Sequence, residues 1–128
     1  MKKMSKDRLD QIFQMRHDFM SRMLEVMPHA QPNFPVDVTT KESQQYCRDL
    51  ALRGVEEMFE ALQHLKNWKT HRVTEISEFD RDNFLEEVVD AFNYFFALLV
   101  ALDCSPEEFF EAYLKKDKII HQRVTNKY

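Results

Sequence analysis

The sequence predicts an all-α protein built from four principal helices. Its 128 residues include one glycine and four prolines, which is too few turn-forming residues for a fold of many short elements. Apolar residues recur at the i, i+3, i+4 spacing of amphipathic helices along most of the chain. The length suits one domain. We therefore expect a single helical-bundle domain over residues 1–128.

The first helix is expected over about residues 5–27. Ser5 is a suitable N-cap, and Leu9, Ile12 and Phe13 begin an apolar series at helical spacing. Pro28 ends the helix and opens a proline-rich loop.

The second helix is expected from Thr39, which with Glu42 forms a capping-box pattern, to about residue 65. Its apolar stripe contains Ala51, Val55, Met58, Phe59, Leu62 and Leu65. A polar connection over 67–82 follows, and connections of this length are often functional.

The third helix is expected over about 83–103. The fourth begins at a second capping pattern, with Ser105 as N-cap, Pro106 in the first turn and Glu108 completing the box. It extends toward Arg123.

Two helices carry matching groups of acids. Helix two has Glu56, Glu57 and Glu60, and helix three repeats the pattern with Glu86, Glu87 and Asp90. Residues three or four apart share a helix face, so each group crowds like charges together. On helix two, the acids lie nearly opposite the apolar stripe, where Arg53 can pair with Glu57 and His64 with Glu60. Taken alone, that face is typical of a solvated surface.

Helix three favours a different interpretation. It is apolar on nearly all sides, which predicts burial on nearly all sides and places Asp90 on a face that meets protein. A buried carboxylate must be paired, protonated or bound to a metal. If helix two packs alongside helix three, the acids of both helices come together, and divalent cations would offset the repulsion between their charges. A ligand set made only of oxygen atoms favours Mg²⁺, or Mn²⁺, over zinc. A di-iron bundle is disfavoured because Glu-x-x-His is absent.

Composition narrows the function classes. The formal net charge is −4, which gives no sign of a nucleic-acid-binding surface. Cys47 and Cys104 have no metal-site spacing, as expected of reduced thiols in a cytoplasmic protein. The N-terminus lacks the apolar core of a signal peptide, and no apolar run is long enough to span a bilayer.

The acid pattern resembles that of the all-α nucleoside triphosphate pyrophosphohydrolases, which include MazG-type enzymes, dimeric dUTPases and phage dCTP/dUTP pyrophosphatases. The C-terminal segment "LDCSPEEFFEAYLKKDKIIHQRVTNKY" is similar to the ending of the dUTPase and dCTPase branch. The resemblance covers residues 40–128 and reaches helix one only through Gln14 and Asp18.

The resemblance implies Mg²⁺-dependent cleavage of dUTP or dCTP to the monophosphate and pyrophosphate. It also implies that the enzyme is a homodimer, or a higher oligomer, in the cytoplasm of a bacterial cell, with a phage as one alternative source of the gene. It implies that Glu57, Glu60, Glu87 and Asp90 hold the metal and that Glu56 orients or deprotonates water. The implied nucleotide contacts are Gln14, Asp18, Lys116, Arg123 and Tyr128.

Two residues of the long connection complete the candidate site, and every nucleotide contact has a plainer alternative. Trp68 suits stacking on a base and Lys69 suits a phosphate, but a loop tryptophan more often packs. The basic tail can be a solvated helix end, and Gln14 with Asp18 can be a polar surface. Asp117 and Ile120 stand where the family usually has asparagine, and Asp18 where dUTPases tend to have it, which leaves the base open. The competing hypothesis is a non-catalytic helical interaction protein with an exposed acidic face.

Overall fold

The computed structural model describes residues 7–76 and 78–126, and this part of the chain forms four α-helices and no β-strand. The helices are α1 (Arg8–Val26), α2 (Lys41–Leu62), α3 (Arg81–Ala101) and α4 (Pro106–Thr125). The predicted all-α class and number of helices are confirmed. Each observed boundary lies within about three residues of its expected position, which is a usual difference for helix ends expected from sequence alone.

The helix starts follow capping chemistry. Ser105 accepts a hydrogen bond from the backbone N–H of Glu108 at 3.0 Å, as its sequence pattern predicts. At α2 the cap is Thr40, which accepts from the N–H of Ser43 at 3.2 Å, and not Thr39. The Thr39 hydroxyl instead donates to Asp37 at 2.6 Å in the preceding turn.

Aspartates serve the other two helix starts. Asp7 caps α1 by accepting from the N–H of Asp10 at 3.0 Å, while the expected cap, Ser5, lies outside the described residues. Asp80 accepts from the N–H of Asn83 at 3.1 Å and so begins α3 earlier than the apolar pattern indicates.

The end of α3 is closed by a left-handed residue. Asp103 has φ of 59°, and its N–H donates to the carbonyl of Val100 while the N–H of Cys104 donates to that of Leu99. This pair of hydrogen bonds is a Schellman motif, in which the left-handed position usually belongs to glycine.

The chain divides into two compact units. The first comprises the described parts of Met1–Pro35 and Leu99–Tyr128, where α1 meets α4 and the ring of Phe13 lies 6.2 Å from that of Phe109. The second is Val36–Leu98, where α2 packs on the part of α3 that this unit contains, with Gly54 against Phe95. A single domain and a bundle of the MazG type remain predictions.

Close packing of α2 on α3 depends on the one glycine of the chain. A Cβ added at Gly54 would lie 2.5 Å from Cε1 of Phe95, well inside van der Waals contact. The buried residues of α2 are Cys47, Leu50, Gly54 and Ala61. The packing face of α2 is therefore centred on small residues.

The expected apolar stripe of α2 is not the face that packs within the chain. Val55, Phe59, Leu62 and Leu65 are all exposed, Phe59 by 60 %. Around α2, Phe59 lies about 140–160° from Gly54 and Ala61, and Val55 and Leu62 lie about 80–120° from them. Helical periodicity correctly identifies an apolar stripe, but these residues of the stripe lie beside the face that meets α3 or opposite it, and they are exposed.

The expectation that α3 is buried on nearly all sides is also wrong. Leu85, Val89 and Phe92 are exposed, Val89 by 56 %, and they lie about 60–120° around α3 from Phe95, the residue that meets Gly54 of α2. Asp90 is itself exposed, so it is not the buried charge that its sequence context suggests.

No single helix among the described residues is long and apolar enough to cross a membrane; α3 and α4 meet that criterion only when taken together across the break between them.

Candidate metal centre

Carboxylates of α2 and α3 approach one another across the helix pair. Burial raises the pKa of Glu57, and the negative charges of Glu60, Asp90 and Glu56 raise it further. Asp90 is on α3, whereas the other acids are on α2. The two helices thus bring acids close enough for their charges to repel.

The individual acids differ in exposure. Glu57 and Glu87 are partly buried, while Glu56, Glu60 and Asp90 are exposed. This follows from helix geometry, since Glu57 lies about 60° around α2 from Gly54, and Glu60 about 120°. Two acids therefore sit at the seam between the helices, and the others lie along its edge.

Glu87 contacts a histidine that lies just beyond the end of the other helix of the pair. Its Oε2 atom lies 2.9 Å from Nε2 of His64, which follows the end of α2. Oε2 is shielded from solvent, and the contact lacks the direction of a hydrogen bond, so this oxygen accepts none from the described residues. A buried carboxylate oxygen in this position is costly without a cation or donor aligned on it.

The ion pairs expected within helix two do not form. Arg53 binds Asp49, with Nε 2.9 Å from Oδ2, and it also interacts with Tyr94 of α3. His64 meets Glu87 and not Glu60. Both basic side chains are drawn away from the α2 glutamates, which leaves the acids without the pairing typical of a solvated helix face.

The donor chemistry suits a hard divalent cation. Carboxylate oxygens are the ligands that Mg²⁺ prefers. The raised pKa of Glu57 reflects its burial and repulsion from neighbouring carboxylates, and a bound cation would offset that repulsion. Within residues 7–76 and 78–126, however, no three acid, imidazole or thiol groups are close enough together to form a ready coordination set. Binding would require the carboxylates of Glu57, Glu60, Glu87 and Asp90 to turn inward.

Trp68 and Lys69 line a cavity of about 800 Å³ beside the end of α2. The other lining residues are Phe59, Leu62, Gln63, Leu65, Lys66, Arg72 and Thr74. Phe59 lies about 140° around α2 from Gly54, so this part of the cavity wall is on a different side of the helix from the α2–α3 seam. Its three cations suit an anionic group, and a substrate role for Trp68 and Lys69 stays a prediction.

The remaining predicted nucleotide contacts belong to the first unit. Gln14 donates a hydrogen bond to Asp18 at 2.8 Å on α1, an arrangement that also fits a polar surface. Lys116 and Arg123 are exposed on α4. Tyr128 lies outside the described residues. Their part in a site with the acids stays a prediction.

His64 is the residue whose place sequence reasoning missed. It lies four residues after Glu60 and seven after Glu57, so helical spacing aligns it with the acid-bearing face of α2, two residues beyond the end of that helix. This spacing shows that His64 extends the acidic row by one turn, but it does not reveal that the partner comes from α3. That partner depends on how the two helices pack.

Comparison with known proteins returned no relative: no family model, curated protein or solved structure matches this chain.

Proposed function

We propose that this protein is a Mg²⁺-dependent pyrophosphohydrolase that cleaves a pyrimidine deoxynucleoside triphosphate, dUTP or dCTP, to its monophosphate and pyrophosphate. The observation that carries the proposal is the interaction of Glu57 on α2 with Asp90 on α3. It matches the two-helix arrangement of acids in the pyrophosphohydrolases that the sequence resembles.

In the proposed reaction, Glu57, Glu60, Glu87 and Asp90 would hold the divalent metal. Such an ion would offset the charge of the triphosphate and make a coordinated water more acidic. Glu56, exposed beside Glu57, accepts the proton that water loses as it attacks phosphorus. The bond between the nucleoside monophosphate and the pyrophosphate group breaks, and pyrophosphate leaves.

The decisive experiment is a nucleotide panel assayed for pyrophosphate release. We expect the purified protein with Mg²⁺ to cleave a pyrimidine deoxynucleotide, modified pyrimidines included, and to lose activity in chelator. Glu57→Gln and Asp90→Asn should each reduce kcat at least about 100-fold, because each removes a charged metal ligand.

Glu25→Gln is the matched control, since Glu25 is an exposed glutamate of α1 in the other unit. It should keep full activity. Absence of pyrophosphate release from every common and modified deoxynucleotide would reject the proposed function.

A second candidate is a non-catalytic interaction protein. The exposed apolar stripe of α2, with Val55, Phe59 and Leu62, favours it because large exposed apolar patches mark interaction surfaces. Melting with and without millimolar Mn²⁺ separates the candidates. A metal site made of crowded acids gains stability by linkage, whereas exposed acids with no site leave the melting temperature unchanged.

A further inference from the structure

The contact between His64 and Glu87 differs in kind from other ion pairs of the chain. Arg53 with Asp49 and His121 with Asp117 each join residues one turn apart on one helix. His64 instead reaches from the end of α2 to α3, and both side chains are more than two-thirds buried. Contacts that join separate elements and exclude water persist better than exposed local pairs.

Aromatic packing restricts the imidazole. The ring of His64 meets that of Phe84 edge-on, with centroids 6.3 Å apart and planes at 72°. Phe79 packs on Phe84 at 5.3 Å. Phe84 precedes Glu87 by three residues, so both lie on one face of α3. His64 is held against the same face that presents the Glu87 carboxylate.

The effect on Glu87 is to select among its conformations. A glutamate side chain has several freely rotating bonds, and fixing them to bind a metal costs free energy. With Oε2 beside Nε2 of His64, Oε1 of the same carboxylate is left for a cation. Carboxylates that hold metals are themselves commonly oriented by an outer partner.

We propose that His64 is a positioning residue that orients the Glu87 carboxylate for divalent-metal binding at the seam between α2 and α3. The inference rests on the proposed function, because it takes Glu87 as a metal ligand. His64 does not itself touch metal or nucleotide in this role. It acts by holding one oxygen of Glu87, and Phe84 holds the imidazole.

The test is Mn²⁺ affinity without nucleotide, measured by electron paramagnetic resonance of the free ion, on wild type and four variants. His64→Leu fills similar space but removes the imidazole nitrogen that lies beside Oε2, and we expect about 10- to 100-fold weaker binding. His64→Gln keeps a polar group at similar reach and should stay within about threefold of wild type. Glu87→Gln should lose binding more severely than His64→Leu.

Val100→Ala controls for lost stability, because Val100 is buried in the other unit; it should lower the melting temperature and leave Mn²⁺ affinity unchanged. The Mg²⁺ concentration giving half-maximal activity should rise in His64→Leu and not in His64→Gln.

The outcomes separate the inference from the function it rests on. One outcome is that wild type binds Mn²⁺, that Glu87→Gln does not, and that His64→Leu binds Mn²⁺ as wild type does. This outcome overturns the positioning role of His64 and leaves the proposed function standing. Equal weakening in His64→Gln and His64→Leu also overturns it, because the retained polar group would then have no effect. Wild type that binds no Mn²⁺ overturns the proposed function and the inference together.

Discussion

At the scale of single residues, Glu57 carries an electrostatic cost that the chain by itself does not relieve. Burial and three neighbouring acids raise its pKa above the ordinary value of 4.5. Arg53, the nearest basic residue in sequence, binds Asp49 instead. In the absence of metal, a charged Glu57 therefore opposes folding at neutral pH.

Removing that charge should stabilise the metal-free protein. Because the pKa of Glu57 is raised on folding, its proton favours the folded state below about pH 4.5, and that stability is lost as pH rises through the folded pKa. Glu57→Gln should consequently melt above wild type at pH 7 in chelator, with the difference vanishing near pH 4.

Melting temperatures across that range check the prediction, with Glu25→Gln as the control that should show no such trend. With saturating Mg²⁺ the order should reverse, because only wild type keeps the proposed metal ligand. A Glu57→Gln protein less stable than wild type at pH 7 in chelator would contradict the account of the charge.

At the scale of elements, Gly54 sets the distance between α2 and α3. Glycine within a helix costs about 1 kcal/mol relative to alanine, so Gly54→Ala should stabilise α2 in isolation. The added Cβ would lie 2.5 Å from the Phe95 ring, and forcing a methyl into such a contact costs about 1–3 kcal/mol.

We expect Gly54→Ala to give a net loss of up to about 2 kcal/mol in the free energy of unfolding by denaturant. In the Gly54→Ala, Phe95→Leu double variant the smaller side chain relieves the clash, so the loss from Gly54→Ala should shrink when measured against Phe95→Leu alone. Additive losses would show that the two residues do not meet.

The turn after α3 offers a second test at this scale. Asp103 occupies a left-handed position at φ of 59°, where a side chain costs up to about 1–2 kcal/mol and glycine costs little. Asp103→Gly should raise unfolding free energy by about 0.5–1 kcal/mol. Asp103→Ala, which keeps the Cβ but loses aspartate's tolerance of this region, should lower it in the same denaturant experiment.

Sequence patterns predict the elements better than their faces. The cap at Ser105 is confirmed because Ser-Pro-Glu-Glu specifies it locally. The packing side of α2 is not specified locally. Periodicity points to Val55, Phe59 and Leu62, whereas the chain packs the side with Gly54 and Ala61. A small residue allows close approach, but hydrophobic periodicity gives it little weight.

The candidate site is likewise predicted only in part from the sequence. The matched spacing of the acids on two helices predicts that they approach one another, and the interaction of Glu57 with Asp90 agrees with that prediction. The argument from a buried Asp90 is wrong, since the partly buried acids are Glu57 and Glu87. The partner of His64 depends on the relative placement of α2 and α3, which no local pattern encodes.

At the scale of the whole molecule, the most conspicuous feature is apolar surface. Val55, Phe59 and Leu62 form an exposed row on α2, and Leu85, Val89 and Phe92 form another on α3. Isolated exposed apolar residues are ordinary, but continuous rows are typical of interaction surfaces. Such rows would suit the subunit interface of the homodimer that is expected from the resemblance.

We therefore expect sedimentation to give about twice the 15.5 kDa mass of one chain. Phe59→Glu should shift the protein toward the monomer, because a charge at the centre of an apolar interface is not solvated there. Helicity should be retained, since Phe59 is 60 % exposed in the single chain. Gln45→Glu, which adds the same charge at an exposed site of α2, should leave the mass unchanged. A wild-type monomer would reject the self-association prediction.

The lone indole of the chain has a practical consequence for spectroscopy. Trp68 is the single tryptophan and is 70 % exposed, with Nζ of Lys69 5.6 Å from its ring. Its emission in the native state should already resemble that of a solvent-exposed tryptophan, so intrinsic fluorescence will report global unfolding poorly. The same fluorescence should be a sensitive probe of a ligand that enters the neighbouring cavity, because such a ligand would quench the emission or shift it to the blue.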